Sequence, residues 1–121
     1  MDAVQDEEFI VIYHNCGDAV SRMVPQILET GAAAYHFGNA VSMEDMLRQM
    51  PGDVLTMGNV DPVSAIRNGT PEKVWQDTLS IMDACCKYPN FLISSGCVIP
   101  PAAPWENIDA FFAAVEEFYH K

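Results

Sequence analysis

The sequence predicts an α/β fold in which the strands of four strand–helix units form a parallel sheet. Short apolar, β-prone runs alternate four times with stretches whose apolar residues recur at helical spacing. The connections between them are short, and buried strands joined in this way require a parallel sheet with right-handed crossovers. We therefore expect residues 1–121 to form one domain, either half of a TIM-type (β/α)8 barrel or an open four-stranded sheet.

The first two units are predicted from burial pattern and capping residues. Residues 8–15 alternate little between apolar and polar side chains, which predicts a fully buried strand. Residues 18–30 carry apolar side chains at helical spacing, and the glycine that follows them is a suitable C-cap. Residues 32–37 form the second buried run. Ser42 then predicts the N-terminus of a short helix that ends at Met50.

The third and fourth units are marked by proline and glycine. The third strand, residues 53–58, runs into a loop. Thr70 is followed by proline and glutamate, which favours a helix start, and this helix should end near Lys87. Residues 91–95 predict the fourth strand, and residues 105–120 predict a last helix after a proline-rich loop.

Composition excludes several classes of function. The chain has 17 acidic and 6 basic residues, a formal charge of −11, so it lacks the clustered cations that nucleic acid or an anionic membrane would require. No apolar run approaches the roughly 20 residues of a membrane span, and the N-terminus lacks the pattern of a signal peptide, which favours a cytoplasmic location. The four cysteines do not resemble a disulfide framework.

The residues with chemical potential follow the strands, at the carboxyl rim where catalytic groups gather in parallel α/β folds. In chain order they are His14 and Cys16, His36, Asn59 and Asp61, and Ser95 and Cys97.

His14, Cys16 and Cys97 are candidate ligands of one metal ion. His14 and Cys16 are two residues apart, so on a strand their side chains point to the same face. Thiolate and imidazole suit zinc, and three protein ligands with an open fourth position are typical of catalytic zinc sites. The alternative is that both cysteines are small buried core residues and the histidine is a hydrogen-bonded core residue. His36 is a fourth ligand, a substrate contact or a core histidine.

The remaining candidates have other expected roles. Asn59 and Asp61 are expected to bind substrate or to order their loop, since Asn and Asp before proline also form ordinary turns. Ser95 is a candidate substrate contact. Cys85 and Cys86 lie on a predicted helix away from the rim, and we expect them to be packing residues.

Five stretches together span nearly the whole chain: residues 13–17 (YHNCG), 57–62 (MGNVDP), 68–74 (NGTPEKV), 95–101 (SGCVIPP) and 104–108 (PWENI). They resemble the C-terminal half of the uroporphyrinogen decarboxylase superfamily, in particular its cobalamin-dependent methyltransferase branch. The decarboxylase proper has a Gly-His-Gly type of sequence and no zinc at the last strand, where this chain has Ser-Gly-Cys. This difference favours the methyltransferase branch.

The resemblance implies a zinc enzyme with an eightfold barrel and the ligands His14, Cys16 and Cys97. Such enzymes move a methyl group from a corrinoid protein to a thiol such as coenzyme M, or to another acceptor such as tetrahydrofolate. Zinc would bind the acceptor thiol and lower its pKa. The implied cofactors are therefore Zn²⁺ and a methylcobalamin or other corrinoid carried by a partner protein.

The number of strands leaves several hypotheses open. The family barrel has eight strands and this chain supplies about four, so a homodimer or a partner chain is expected to complete the barrel. A second hypothesis is a non-catalytic module that binds zinc or a corrinoid protein. A third is a metal-free protein similar to uroporphyrinogen decarboxylase.

Overall fold

A computed structural model describes residues 5–120. Four strands in this range form a parallel sheet in the order β1-β2-β3-β4. Strands and helices alternate along the chain, and this confirms the predicted α/β class and the four strand–helix units. The elements are β1 (Ile12–Asn15), α1 (Val24–Leu28), β2 (Ala34–Phe37), α2 (Met43–Gln49), β3 (Leu55–Val60), α3 (Pro71–Cys85), β4 (Phe91–Ser95) and α4 (Trp105–Tyr119).

Three predicted helix boundaries are present where local chemistry dictates them. The Ser42 side chain accepts a hydrogen bond from the Asp45 amide at the start of α2, and Thr70 accepts one from the Lys73 amide at the start of α3. Gly31, after α1, has a φ of 74°, a left-handed conformation that glycine adopts without a steric penalty. These termini depend on neighbouring residues in the chain, which is why the sequence predicts them well.

The first predicted helix is wrong in length. Residues 18–30 form a 3₁₀ turn, Val20–Arg22, followed by the five residues of α1. Pro25 lies in the first turn of α1, where its missing N–H is tolerated, but a continuous helix from residue 18 would place it in the interior. An unpredicted π-helical turn, Pro62–Arg67, also follows β3.

The predicted bounds and burial of β1 are also wrong. The strand starts at Ile12, four residues later than expected, and its side chains alternate between exposed and half-buried. Among residues 5–120 it is an edge strand, hydrogen-bonded to β2 alone. The third strand likewise ends at Val60, so Asn59 belongs to a strand and not to a loop.

Helices cover one face of the sheet and leave the other face open. Tyr35 and Phe37 of β2 are buried against α1 and α2 in the larger core cluster. The opposite face exposes Ile12, Leu55 and Leu92 by 53%, 39% and 48%. In a closed barrel this face would point inward, and here its exposure explains why β1 is not fully buried.

Between residues 5 and 120, no helix has both the length and the apolar character that crossing a bilayer would take.

Candidate metal centre

Three side chains from distant parts of the sequence converge at the carboxyl rim of the sheet. His14 is at the end of β1, Cys16 follows it, and Cys97 follows β4. Their ligand atoms all lie within 4.8 Å of one another, and His14 Nε2 is 3.7 Å from Cys97 Sγ. His14 and Cys16 are exposed and Cys97 is half-buried, so the group is accessible from solvent. The structure thus brings together the three predicted ligands.

The donor set and its spacing fit zinc. With zinc bond lengths of about 2.0 Å to nitrogen and 2.3 Å to sulfur, tetrahedral ligands lie about 3.6 Å apart. The 3.7 Å between His14 Nε2 and Cys97 Sγ is close to this value. All four cysteines of the chain are free thiols, so neither candidate sulfur is used in a disulfide.

Two glycines allow the loops of the rim to approach each other. A Cβ added to Gly38, which follows β2, would lie 2.6 Å from Cys16 Cβ and 2.8 Å from Cys16 Cα. A Cβ added to Gly96 would lie 2.8 Å from the Asn39 backbone nitrogen. The chain after β4 therefore folds back across the rim onto the loop after β2, which carries Cys97 to the end of β1.

His36 lies beside the three-residue group and contacts one of its members. Its Nδ1 is 2.7 Å from His14 Nδ1, and the two rings are 4.7 Å apart between centroids. Its Nε2 is 2.7 Å from the Ser95 carbonyl oxygen and 3.2 Å from Ser94 Oγ. Both ring nitrogens of His36 thus have protein partners.

Burial lowers the pKa of His36. The hydrogen bond with the Ser95 carbonyl opposes this change in part, and the nearby His14 lowers the pKa further. Burial and the neighbouring His14 thus both favour the neutral form of His36.

Ser95 orders the loop that carries Cys97. Its hydroxyl donates a 2.7 Å hydrogen bond to the Cys97 carbonyl, while its own carbonyl faces His36. The next amide, Gly96 N–H, donates to the Val60 carbonyl at 2.7 Å. The side chain of Ser95 thus forms a backbone contact at the rim, and its predicted role in substrate binding stays a prediction.

The side chains of Asn59 and Asp61 form hydrogen bonds with other groups of the protein. Asn59 is buried, and its Nδ2 donates to the carbonyls of Gly38 and Val41 at 2.9 and 2.7 Å. Asp61 caps the π-helical turn by accepting from the amides of residues 63 and 64 and from the Ser64 hydroxyl. Burial alone would raise the Asp61 pKa, but these hydrogen bonds outweigh it and lower the pKa. Both residues order the loops, and their other predicted role, in substrate binding, stays a prediction.

The other two cysteines lie away from the rim. Cys85 is buried in the larger core cluster, and burial raises the pKa of its thiol to about 11. Cys86 is half-buried, with its sulfur 4.0 Å from the Tyr119 hydroxyl. Cys85 packs in the core as expected.

Sequence reasoning missed the supporting residues around the three ligands. No functional role was predicted for Gly38, Gly96 or Ser94. Gly96 lies directly beside the candidate ligand Cys97, and this position is the signal that could have identified it. Glycine often occurs where two backbone segments approach closely.

The sequence profile of the family described as uroporphyrinogen decarboxylase (URO-D) matches residues 1–118. A methylated-thiol–coenzyme M methyltransferase of Methanosarcina mazei is 27% identical over 106 residues, which are 88% of this chain and 27% of that protein. The methylcobamide:CoM methyltransferase MtbA of the same organism is 24% identical over 119 residues, 98% of this chain and 33% of that protein. A uroporphyrinogen decarboxylase of Pseudoalteromonas translucida is 30% identical over 101 residues, 81% of this chain and 28% of that protein.

A solved structure of a methyltransferase from Methanosarcina mazei has the same fold. It superposes with a TM-score of 0.78 and 22% sequence identity over 91% of this chain and 32% of that one. The chain thus spans about a third of the length of the relatives it matches. These matches confirm the resemblance to the uroporphyrinogen decarboxylase superfamily and its methyltransferase branch.

Proposed function

The chain belongs to the uroporphyrinogen decarboxylase family, and on that premise we propose that it is a zinc-dependent methyltransferase domain. It would move a methyl group from a methylated corrinoid protein to a thiol such as coenzyme M, or to another acceptor. The observation that carries this proposal is the convergence of His14, Cys16 and Cys97 within 4.8 Å on the rim of the sheet. The two methyltransferase relatives act on coenzyme M by name, and one is a methylcobamide enzyme.

The three side chains would supply one imidazole nitrogen and two sulfur ligands, and His14 and Cys16 are exposed to solvent. A zinc ion held by them would act as a Lewis acid that lowers the pKa of an acceptor thiol in its fourth position. In the proposed transfer, the acceptor thiol would lose its proton to solvent and its sulfur would form a bond to the methyl carbon. The methylated corrinoid protein, as the methyl donor, would keep the electron pair of the broken cobalt–carbon bond. The residues here would orient the acceptor, and Gly38 would let Cys16 reach the rim.

We further propose that residues 1–121 act as one domain, the C-terminal half of a barrel that needs a second half. The exposed apolar side chains Ile12, Leu55 and Leu92 on the open face, and the free edges of β1 and β4, support this proposal. A second copy of the chain, or a partner chain, would cover that face. The four free thiols suit a reducing compartment such as the cytoplasm.

A second candidate function is a metal-free activity like that of uroporphyrinogen decarboxylase, which the decarboxylase relative favours. It predicts no zinc in the purified protein and no effect of Cys16→Ala on activity. A module that binds zinc without catalysis predicts stoichiometric zinc and no methyl transfer.

The deciding experiment combines metal analysis with a turnover assay. The chain is purified, its zinc content is measured, and methylcobalamin is offered with coenzyme M as acceptor, alone and with the corrinoid protein of a methyltransferase system. Zinc at one ion per chain with thiol methylation supports the proposal. Sedimentation in parallel measures whether the active species is a dimer. Zinc-free protein that keeps its activity would contradict the proposal.

A further inference from the structure

We propose that His36 is a positioning residue that holds His14 in the tautomer needed for metal binding, with the hydrogen on Nδ1 and the lone pair on Nε2. The inference rests on the proposed metal centre for its purpose, but the hydrogen-bond chain behind it exists without a metal. These hydrogen bonds connect Ser95 to His36 and His36 to His14. The donor in each of them follows from which atoms can donate.

The first contact fixes the hydrogen of His36. The Ser95 carbonyl oxygen can only accept, and it lies 2.7 Å from His36 Nε2. His36 Nε2 therefore carries a hydrogen, and the Ser94 hydroxyl oxygen at 3.2 Å is a second acceptor for it.

The second contact fixes the hydrogen of His14. Its Nδ1 is 2.7 Å from His36 Nδ1, a distance at which one of the two nitrogens must donate. The carbonyl oxygen of His36 lies 3.2 Å from the same His14 nitrogen and can only accept, so His14 Nδ1 is the donor. His36 Nδ1 therefore accepts in the 2.7 Å contact and presents a lone pair.

The tautomer of His14 determines which of its nitrogen atoms can bind a metal ion. With its hydrogen on Nδ1, His14 presents an unprotonated Nε2 at 3.7 Å from Cys97 Sγ. A metal-binding histidine is commonly held by a hydrogen bond from its other ring nitrogen, which sets both its tautomer and its orientation. The partner here is a histidine on the adjacent strand, at the paired register position His14↔His36.

The role does not require His36 to bind the ion. Both of its nitrogens are within hydrogen-bonding distance of protein atoms, and it is not part of the group whose ligand atoms lie within 4.8 Å. This distinguishes it from a fourth ligand, one of the three roles that the sequence left open for it.

The test compares the full 121-residue chain with two variants. His36→Leu removes the imidazole acceptor and leaves the backbone carbonyl at 3.2 Å, and His36→Asn supplies an Oδ1 that can take the place of Nδ1. Nitrogen-15 NMR of the metal-free, reduced protein at about pH 8 measures the tautomer of His14 directly. We expect the Nδ1–H form in the wild type and in His36→Asn, and the Nε2–H form or a mixture in His36→Leu. An Nε2–H form in the wild type would overturn the inference.

Zinc affinity by chelator competition is the second readout. His36→Leu should bind zinc about 10- to 100-fold more weakly, and His36→Asn should recover most of that loss. Equal affinity of all three proteins would overturn the positioning role. If none of them binds zinc, the proposed function fails, while the NMR result still decides the hydrogen-bond chain. If His36→Leu does not fold, the wild-type tautomer and the Asn variant decide.

Discussion

Replacing Gly38 with alanine should weaken zinc binding although it changes no ligand. The added Cβ would lie 2.6 Å from Cys16 Cβ and 2.8 Å from Cys16 Cα, so the conflict involves the backbone of the ligand itself. Reaching an ordinary contact of 3.4 Å requires a movement of about 0.8 Å. Zinc sites are built to within roughly 0.2 Å, so a shift of this size displaces the Cys16 sulfur well beyond tolerance.

We expect the zinc affinity of Gly38→Ala to fall about 10- to 100-fold, the range typical of changes that misplace a ligand without removing it. Competition with a chromophoric chelator measures this loss, and thermal unfolding of the metal-free protein verifies that the fold survives. Gly52→Ala is the matched control, since a Cβ added there meets no atom within 4 Å. Wild-type affinity in Gly38→Ala would refute the inferred contact between the two loops.

Three further predictions concern single side chains. Cys16→Ala and Cys97→Ala should each abolish stoichiometric zinc binding in metal analysis, whereas Cys86→Ala should retain it; zinc retained by either ligand variant would exclude that residue as a ligand. Asn59→Ala should lower the free energy of unfolding in urea by about 1–3 kcal/mol, because the carbonyls of Gly38 and Val41 lose the donor that the buried Asn59 provides; an unchanged value would show that other donors replace it. Cys85, with a pKa of about 11, has about one thiolate in a thousand at pH 8 and should resist iodoacetamide in the folded chain, as measured by mass spectrometry; alkylation as fast as in the unfolded chain would contradict its burial.

Most of the fold is predictable because its signals are local. Ser42 and Thr70 cap their helices through bonds to amides three residues away, and a sequence shows both partners together. The exposure of β1 is not a local property. It depends on which elements cover each face of the sheet. An apolar residue such as Ile12 is compatible with either a covered or an exposed face, so its identity does not reveal its burial.

The topology of the sheet made the location of the candidate site predictable. Parallel strands bring their carboxyl ends to one rim, so His14 and Cys97 could be expected near each other despite their separation in sequence. The direction of each side chain could not be predicted. Asn59 leaves the rim because β3 extends past it and its amide binds the loop after β2, while His36 reaches Ser95 on β4.

X-ray absorption at the zinc edge is the measurement that probes the proposed metal centre itself. For the purified chain loaded with one equivalent of zinc, we expect two sulfur ligands at about 2.3 Å and one imidazole nitrogen at about 2.0 Å, with a light atom or an added thiol in the fourth position. Addition of coenzyme M should raise the number of sulfur ligands from two to three. A first shell without sulfur, or a chain that binds no zinc, would contradict the assignment of His14, Cys16 and Cys97 as a metal centre.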